Sequence, residues 1–389
     1  MKDFVFQNNT KVYFGKNQLQ HIGDELKRYG SRVLLIYGGG SIKKIGLYDK
    51  LMKYIKAEGL QVFELSGVEP NPRHTTVNKG ADICKKEQID VLLAVGGGST
   101  IDCAKAVSAA AFYDGDCWDL VTGKTPVTMT LPLVVVLTLA ATGSEMDTGC
   151  VISNMDDRSK LGLINPQLGP KVSFLDPTNT FTVSAYQTAC GCVDIMSHLF
   201  DLSFFSRQPG FDMIDRMCEE LFKTIIKYPP VAIQEPDNYD ARANLMWASS
   251  WALNGFLTTG IVQAPVCHAM EHELSAWYDI THGLGLAILT PRWLSYILDD
   301  TTAPAISRLG VSCFDVDAKL PPLDAARLSI ERLSDFFFTT LGLKSRLSDL
   351  GIDDKNFSIM AKNACGGGEL ESIRPLRPTD VETIYRLCL

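Results

Sequence analysis

The sequence lacks the features of a membrane or secreted protein. Its longest apolar stretch, Leu131–Ala141, is too short to span a bilayer and is typical of a buried strand. The first residues, Met1-Lys-Asp-Phe-Val-Phe-Gln-Asn-Asn, are polar enough to interrupt any apolar run, so they predict no signal peptide. We therefore expect that no membrane is involved in its function.

Positive charge is scarce as well. The 37 lysines and arginines are outnumbered by 45 aspartates and glutamates, which gives a net charge of -8. An acidic chain is a poor partner for nucleic acid or for an anionic membrane surface. The sequence therefore favours a small molecule as the main binding partner.

The cysteines do not form the pattern of a disulfide framework. There are 11 of them, an odd number, and none are spaced as a C-x-x-C pair. We expect free thiols and a reducing, cytoplasmic compartment. Cys190, Cys192 and Cys267 lie close in sequence to the candidate metal ligands described below. A sulfur ligand is therefore an alternative there, although small buried residues packed against a helix explain these cysteines as well.

The length of 389 residues predicts two domains. In the first half, apolar runs that end in glycines alternate with helical patterns. Arg32–Tyr37 leads into Gly38-Gly39-Gly40-Ser41, and Ile89–Val95 leads into Gly96-Gly97-Gly98-Ser99. This alternation predicts a parallel sheet covered by helices on both faces, a Rossmann-like α/β domain over residues 1–185.

Helical patterns replace the strand patterns after residue 185. They predict an all-helical domain over residues 186–389, with helix breaks at the proline pairs 229–230 and 321–322. At the other end of the chain, Phe4–Phe14 has the pattern of an edge hairpin. Such a hairpin either packs on its own sheet or pairs with a second subunit.

Both glycine runs of the first half have the context of a nucleotide site. Glycines after a parallel strand let backbone N–H groups approach a pyrophosphate, and the following helix N-terminus attracts negative charge. The run at Gly96–Ser99 fits this role. The run at Gly38–Ser41 has no acid to hydrogen-bond a ribose 2′-hydroxyl and is followed by Lys43 and Lys44, so it favours NADP over NAD if it faces the adenosine ribose.

Histidine is rare, with six in the whole chain, yet several of them cluster near each other. Asp194 and His198 are spaced i,i+4, which puts both on one face of a helix. His268 and His272 repeat this spacing, and His282 follows ten residues later. One carboxylate with several imidazoles suits Zn or Fe far better than Ca or Mg. Spacing alone does not decide between His268 and His272 as the ligand.

The motifs together resemble the iron-containing (group III) alcohol dehydrogenase family, and within it the NADPH-dependent butanol dehydrogenase and aldehyde reductase branch. The resemblance covers nearly the whole chain and implies a dehydroquinate synthase-like fold. It rests on six ordered motifs: Val68-Glu-Pro-Asn-Pro72, Gly96-Gly-Gly-Ser-Thr-Ile-Asp102-Cys-Ala-Lys105, Leu137-Thr-Leu-Ala-Ala-Thr-Gly-Ser-Glu145, Asp176-Pro-Thr178, Asp194-x3-His198 and His268-x3-His272-x9-His282-Gly.

The resemblance assigns roles that spacing cannot. It implies that the metal, Fe(II) or Zn(II), is held by Asp194, His198, His268 and His282, and that His272 lies unligated beside the nicotinamide, where it could relay a proton. For the cofactor it implies contacts from Gly38, Gly39, Gly40 and Ser41 at the adenosine end, Gly97, Gly98 and Ser99 at the pyrophosphate, Asp102 and Thr138 near the nicotinamide, and Lys160 at a ribose.

The function implied is a metal-dependent NADP(H) oxidoreductase that interconverts aldehydes and primary alcohols, in the form of a homodimer. The metal would polarise the substrate oxygen while hydride moves to or from the nicotinamide, and Asp102 and His272 would serve the reacting groups. A polyol dehydrogenase of the glycerol type on the same fold is one alternative. A metal-dependent hydrolase or lyase is another.

Overall fold

The computed structural model describes residues 2–205, 211–261 and 263–389. Contacts between Cα atoms divide the chain into two compact units. One, called here the α/β unit, comprises Gln7–Val183 and Pro236–Asn254; the other, the helical unit, comprises Ser184–Glu235, Gly255–Leu389 and the N-terminal residues up to Phe6. The division predicted from the sequence, 1–185 and 186–389, differs in two main places: it assigns residues 236–254 to the helical half and the residues up to Phe6 to the α/β half.

The strands of the α/β unit are β1 Lys11–Phe14, β2 Arg32–Tyr37, β3 Gln61–Ser66, β4 Val91–Gly96, β5 Leu133–Leu137, β6 Gly149–Asn154, β7 Ser159–Ile164 and β8 Val172–Leu175. Six of them form one parallel sheet in the order β1-β8-β5-β4-β2-β3, and a separate antiparallel hairpin joins β6 and β7. The parallel sheet predicted from the sequence is confirmed.

The helices are longer and more numerous in the second half of the chain, as predicted. They are α1 Ile22–Lys27, α2 Ser41–Lys44, α3 Leu47–Ala57, α4 His74–Lys86, α5 Gly98–Ala110, α6 Trp118–Val121, α7 Ala185–Leu199, α8 Asp212–Gln234, α9 Tyr239–Leu253, α10 Val266–Tyr278, α11 His282–Ile297, α12 Ala303–Cys313, α13 Pro322–Asp335, α14 Phe357–Ala364 and α15 Pro378–Leu387. Among the described residues, no helix combines the length and apolarity needed to cross a bilayer.

The central strands are apolar on both faces because both faces of the sheet are covered. In β2, Leu34 and Ile36 join one core cluster, while Val33 and Leu35 join another on the opposite face. Successive side chains of a strand point to opposite faces, so a strand buried on both sides needs an unbroken apolar run. This explains why the runs at β2 and β4 show no alternation with polar residues.

The N-terminal segment does not form the predicted hairpin. Lys11–Phe14 is a single strand that pairs in parallel with β8, and residues 2–10 are not in a strand. Asn8 is one reason, because its side chain is committed to other groups. Its Nδ2 donates to the carbonyl of Met146 at 2.7 Å, and its Oδ1 accepts from the backbone N–H of Thr10 at 3.1 Å. Asparagine bonded to its own backbone two residues on favours a turn over a strand.

The predicted helix break at residues 229–230 is also wrong. Helix α8 runs from Asp212 to Gln234 and contains Pro229 and Pro230. A proline removes one backbone donor, but the turns on either side of the pair continue the helix. By contrast, Pro322 begins α13, the first helical position, where the missing N–H costs nothing.

Helix α9 is linked to the sheet through one buried carboxyl group. Ser250 of α9 donates a hydrogen bond to Oε1 of Glu145, whose side chain is fully buried. The backbone carbonyl of Glu145 accepts a further bond from Ser173 of β8 at 2.7 Å. Burial raises the pKa of the Glu145 carboxyl group to about 7, with the bond from Ser250 opposing the shift. The folded α/β unit therefore favours the protonated form of Glu145.

The raised pKa predicts how Glu145→Gln changes the pH dependence of stability. A group whose pKa is higher in the folded than in the unfolded state stabilises the fold below its unfolded pKa, and this contribution disappears as pH rises through the folded value. Relative to Glu145→Gln, the wild type should lose about 2 kcal/mol of unfolding free energy between pH 5 and pH 8. Urea unfolding at both pH values measures this difference.

The control is Asp114→Asn, which removes a carboxylate that is fully exposed in the same unit. It should leave the slope of stability against pH unchanged. Parallel curves for the wild type and Glu145→Gln would show that Glu145 is ionised in the folded protein.

Candidate metal and nucleotide sites

The first pair of candidate ligands lies on α7. The helix begins after Ser184, whose Oγ accepts a hydrogen bond from the backbone N–H of Gln187 at 3.2 Å. From Thr188 to Leu199 every residue is buried, so α7 is a core helix of the helical unit. Asp194 and His198 lie one turn apart on it, both nearly inaccessible to solvent.

The other candidate ligands come from α10 and α11. His268 lies in the first turn of α10 and His272 in the second, while His282 is the first residue of α11. Helix α10 ends where Asp279 adopts a left-handed conformation, with φ of 50°. This reverses the chain direction within three residues, so that His268 and His282 face the same region.

Gly283 sets the position of His282. A Cβ atom built on Gly283 would lie 2.1 Å from the backbone carbonyl oxygen of Cys190 in α7, a distance no real pair of atoms adopts. The first turn of α11 therefore packs directly on the backbone of α7, one turn before Asp194. Only glycine permits this approach, which explains why a glycine follows the third histidine.

One oxygen atom lies at the centre of the cluster. The Oδ1 atom of Asp194 is 3.6 Å from Nε2 of His198, 3.8 Å from Nε2 of His268 and 3.5 Å from Nε2 of His282. Ligands bonded to a tetrahedral ion at about 2.1 Å are about 3.4 Å apart. The three separations are therefore close to those of a preformed metal site.

The hydrogen bonding of these atoms also fits a metal. Oδ1 of Asp194 and Nε2 of His268 are buried and have no hydrogen-bond partner. Leaving buried polar atoms unpaired costs free energy, about 1 to 3 kcal/mol for each. A cation between them would satisfy both atoms, so the residues present fit a divalent ion.

Charge within the cluster is strongly coupled. Burial alone would raise the pKa of Asp194, but the imidazoles, His198 foremost, hold it well below the usual range. Burial lowers the pKa of His198 to about 3, so this ring is neutral and can act as a ligand. Burial also opposes protonation of His268, yet the carboxylates of Asp194 and Asp201 raise its pKa to about 9. The two carboxylates therefore favour positive charge at this position.

Two carboxylates that the sequence analysis missed hold the imidazoles in place. Asp201, in the π-helical turn Phe200–Phe204, accepts hydrogen bonds from both the backbone N–H and Nδ1 of His268, each at 2.9 Å. Glu271 contacts Nδ1 of His282. Such contacts fix which ring nitrogen faces the metal. The sequence offered one signal for these acids, which is their position: Asp201 follows His198 by three residues, and Glu271 directly precedes His272.

His272 lies at the edge of this cluster. Its ring centre is 6.4 Å from that of His268 and 5.8 Å from that of His282. A second arrangement, with Glu271, His272 and His282 as ligands, brings atoms within 4.8 Å of one another. The arrangement around Asp194 fits a metal better, because it leaves Glu271 in contact with Nδ1 of His282 and uses the atoms that have no other partner.

The neighbouring cysteines are poor candidates for ligands. Cys190, Cys192 and Cys267 are buried. Burial raises the pKa of the Cys190 thiol to about 12 and that of Cys267 well above its usual value. Because a metal binds the thiolate, the neutral thiols of Cys190 and Cys267 act as small apolar residues packed around the helices.

The glycine loop after β4 leads straight into α5, as the sequence predicted. Gly98 begins the helix, and a Cβ on it would lie 2.3 Å from Cγ2 of Thr142. A Cβ on Gly96 would lie 2.4 Å from the hydroxyl of Thr100. The need for glycine at Gly96 and Gly98 therefore comes in part from close packing within the α/β unit. Thr138 lies beside the loop, since its N–H donates to the carbonyl of Gly96 at 3.0 Å.

Asp102, one turn into α5, connects this helix to the β6–β7 hairpin. Its Oδ1 accepts from the hydroxyl of Ser144 at 2.6 Å and its Oδ2 from the N–H of Val151 at 2.9 Å. Burial raises the pKa of Asp102 to about 6. Lys160 is buried on the same hairpin, opposite Ser153. The structure thus gives Asp102 a clear role in holding the hairpin.

The second glycine loop lies beside the first. Strand β2 is the neighbour of β4 in the sheet, so Gly38–Ser41 leaves the same sheet edge as the loop after β4. Gly40 has φ of 93°, a conformation that favours glycine. The loop contains no acid, but Glu64 of β3 lies 3.8 Å from the ammonium group of Lys43. Sequence reasoning missed Glu64 because it belongs to another strand.

Comparison with known proteins identifies relatives over the full length of the chain. Residues 9–177 match the profile of iron-containing alcohol dehydrogenase, and residues 188–389 match that of the Fe-containing alcohol dehydrogenase family, C-terminal. NADH-dependent butanol dehydrogenase B of Clostridium acetobutylicum is 48% identical, with 99% of each chain covered. NADPH-dependent aldehyde reductase YqhD of Escherichia coli is 34% identical over 93% of this chain and 92% of its own.

A solved structure agrees with the fold. The crystal structure of NADH-dependent butanol dehydrogenase A from Thermotoga maritima superposes with a TM-score of 0.94 at 37% identity, covering 100% of this chain and 99% of its own. These matches confirm the resemblance to the iron-containing alcohol dehydrogenase family that the sequence motifs indicated. They also show that the named relatives differ in their nicotinamide cofactor.

The close packing of Gly283 predicts the effect of Gly283→Ala. The new methyl group would push the first turn of α11 away from α7 and move His282 away from Asp194. We expect the purified variant to lose most of its bound divalent metal, measured by elemental analysis, while its circular dichroism stays near that of the wild type. Gly368→Ala is the control, since a Cβ there meets no atom closer than 3.9 Å. Full metal content in Gly283→Ala would contradict the proposed position of His282.

Proposed function

The chain belongs to the iron-containing alcohol dehydrogenase family, and we propose that it interconverts aldehydes and primary alcohols, with NADP(H) preferred over NAD(H). The observation that carries this proposal is the arrangement of three imidazoles around one buried carboxylate oxygen, at separations of 3.5 to 3.8 Å. No other cluster in the described chain combines imidazoles with unpaired buried ligand atoms in this way. A divalent metal held there would polarise the oxygen of a substrate carbonyl group.

We assign the metal to Asp194, His198, His268 and His282. When bound, the ion acts as a Lewis acid that polarises the carbonyl or alcohol oxygen of the substrate. The protein residues hold the ring orientations: Asp201 fixes His268 and Glu271 fixes His282. Fe(II) and Zn(II) both accept this ligand set, and the affinity order favours Zn when both are free.

We assign the cofactor to the α/β unit. Gly97, Gly98 and Ser99 would bind the pyrophosphate at the N-terminus of α5, a helix of 13 residues whose first N–H groups suit an anion. The neighbouring loop, Gly38, Gly39, Gly40 and Ser41, would meet the adenosine ribose. Asp102 and Thr138 would lie near the nicotinamide, and Lys160 would contact a ribose. Because both oxygens of Asp102 accept hydrogen bonds from the protein, we assign it a positioning role.

The preference for NADP(H) rests on the absence of an acid within Gly38–Ser41 and on the presence of Lys43 and Lys44 after it. A carboxylate in this loop would repel a 2′-phosphate, whereas lysines attract it. We also propose a homodimer, since β1 ends the sheet and pairs with β8 on one side, leaving its other edge for a second copy.

The assay that tests the reaction is oxidation of NADPH and NADH in the presence of butanal. The protein is first stripped with a chelator and then reconstituted separately with Zn(II) and Fe(II) without oxygen. We expect turnover that depends on the metal and has a higher kcat/KM with NADPH. Turnover with glycerol but not with butanol in the reverse direction would replace this proposal by a polyol dehydrogenase. Nucleotide binding without any redox turnover would favour a hydrolase or lyase.

His272 gives a second prediction. We assign it the transfer of a proton to or from the substrate oxygen, because an imidazole ordinarily titrates near neutral pH and His272 adjoins the ligand cluster. His272→Ala should lower kcat about 100-fold or more and change its pH profile, while the metal content stays at the wild-type level. His268→Ala is the comparison, and it should lose metal and activity together. Metal loss in His272→Ala would make His272 a ligand instead.

A further inference from the structure

Four side chains form a cluster beside the Gly38–Ser41 loop. Glu64 of β3 accepts hydrogen bonds from the phenol groups of Tyr37, at 2.7 Å, and Tyr48. The ammonium group of Lys43 lies 3.8 Å from the Glu64 carboxylate and 4.6 Å from the ring centre of Tyr48. We call Tyr37, Lys43, Tyr48 and Glu64 the Glu64 cluster.

The cluster adjoins the place where the adenosine ribose is expected. Tyr37 is the last residue of β2 and Gly38 follows it directly. In an open parallel sheet, the ribose next to the pyrophosphate loop meets the end of the adjacent strand, and that strand is β2 here. Lys43 reaches over the rings of Tyr37 and Tyr48 from the short helix that follows the loop.

The charge of Lys43 is largely offset by Glu64. Partial burial opposes ionisation of Glu64, but the two phenol donors and Lys43 lower its pKa below the usual value, so the carboxylate is charged at neutral pH. The Lys43 side chain is 49% exposed and that of Glu64 is 34% exposed, so solvent screens the pair only in part. A 2′-phosphate at this loop would approach a nearly neutral pair rather than a free cation.

We propose that Glu64 is a specificity-determining residue that reduces the preference for NADP(H) over NAD(H). It limits the attraction of Lys43 for a 2′-phosphate, and it leaves the binding of a 2′-hydroxyl nearly unchanged. The inference rests on the proposed function only in taking Gly38–Ser41 as the adenosine loop. The adenosine loop contains no acid, yet this chain is 48% identical to a protein named as an NADH-dependent butanol dehydrogenase. A Lys43 whose charge is offset by Glu64 accounts for both observations.

The test compares two adenosine ligands that differ by one phosphate, adenosine 2′,5′-bisphosphate and adenosine 5′-monophosphate. Calorimetry on the metal-loaded protein measures their affinities at low salt. Glu64→Gln keeps an acceptor for a tyrosine hydroxyl but removes the charge. We expect it to bind the bisphosphate about three- to tenfold more tightly, an effect that shrinks at high salt, and to bind the monophosphate as the wild type does. The ratio of kcat/KM values for NADPH and NADH should rise by the same factor.

Glu58→Gln is the matched control. It removes one carboxylate from the same unit, at the end of α3, where Glu58 pairs with Lys27 at 3.0 Å. It should change neither affinity. Lys43→Met should weaken binding of the bisphosphate alone, because it removes the cation on which Glu64 acts.

Two results would overturn the inference. One is an affinity of Glu64→Gln for the bisphosphate that is equal to or weaker than that of the wild type. The other is a Lys43→Met variant that binds each of the two ligands as tightly as the wild type does. These binding measurements do not depend on turnover. Absence of butanal reduction would therefore count against the proposed reaction while leaving the role of Glu64 open to support from the binding data.

Discussion

The helical unit is organised around one buried oxygen atom, Oδ1 of Asp194. Three imidazole nitrogens lie within 3.8 Å of it, and it has no hydrogen-bond partner. An ionised carboxylate is expensive to bury unless positive charge is nearby. A cation held here would offset this cost, and it would require α7, α10 and α11 to bring their imidazoles to this oxygen. The close contact of Gly283 with α7 and the left-handed turn at Asp279 follow from the same requirement, because each places an imidazole near this oxygen.

The proposed imidazole ligands differ in the hydrogen bonds that hold their rings, and this difference affects how strongly each would bind a metal. His268 and His282 each have a carboxylate at Nδ1, whereas Nδ1 of His198 is buried without a partner. A carboxylate at Nδ1 raises the basicity of the ring and fixes its orientation. On the proposed assignment, His268 and His282 would therefore be strong, fixed ligands, and His198 would be a weaker one held by its own helix. Metal binding in this unit would then depend on Asp201 and Glu271 nearly as much as on the proposed ligands.

Features of the structure that depend on short segments could be predicted from the sequence, and features that depend on contacts between distant residues could not. The parallel sheet and the Asp194–His198 pair were predictable, because strand burial and helix spacing are properties of short segments. The choice between His268 and His272 was not, since both fit the same spacing and only the packing of the folded chain brings Nε2 of His268 within 3.8 Å of Asp194. The hairpin at the N-terminus was wrong because alternating apolar residues do not reveal that Asn8 bonds elsewhere. Glu64 was missed for the related reason that it belongs to another strand.

The two units carry separable parts of the chemistry. All proposed metal ligands and their supporting carboxylates belong to the helical unit, while both glycine loops and the Glu64 cluster belong to the α/β unit. Each set is organised by contacts within its own unit: Gly283 on the α7 backbone in one, and Gly98 against Thr142 in the other. Substitutions that change the cofactor preference can therefore leave the metal centre intact. This independence gives a physical reason why relatives with the same fold can differ in the nicotinamide cofactor they use.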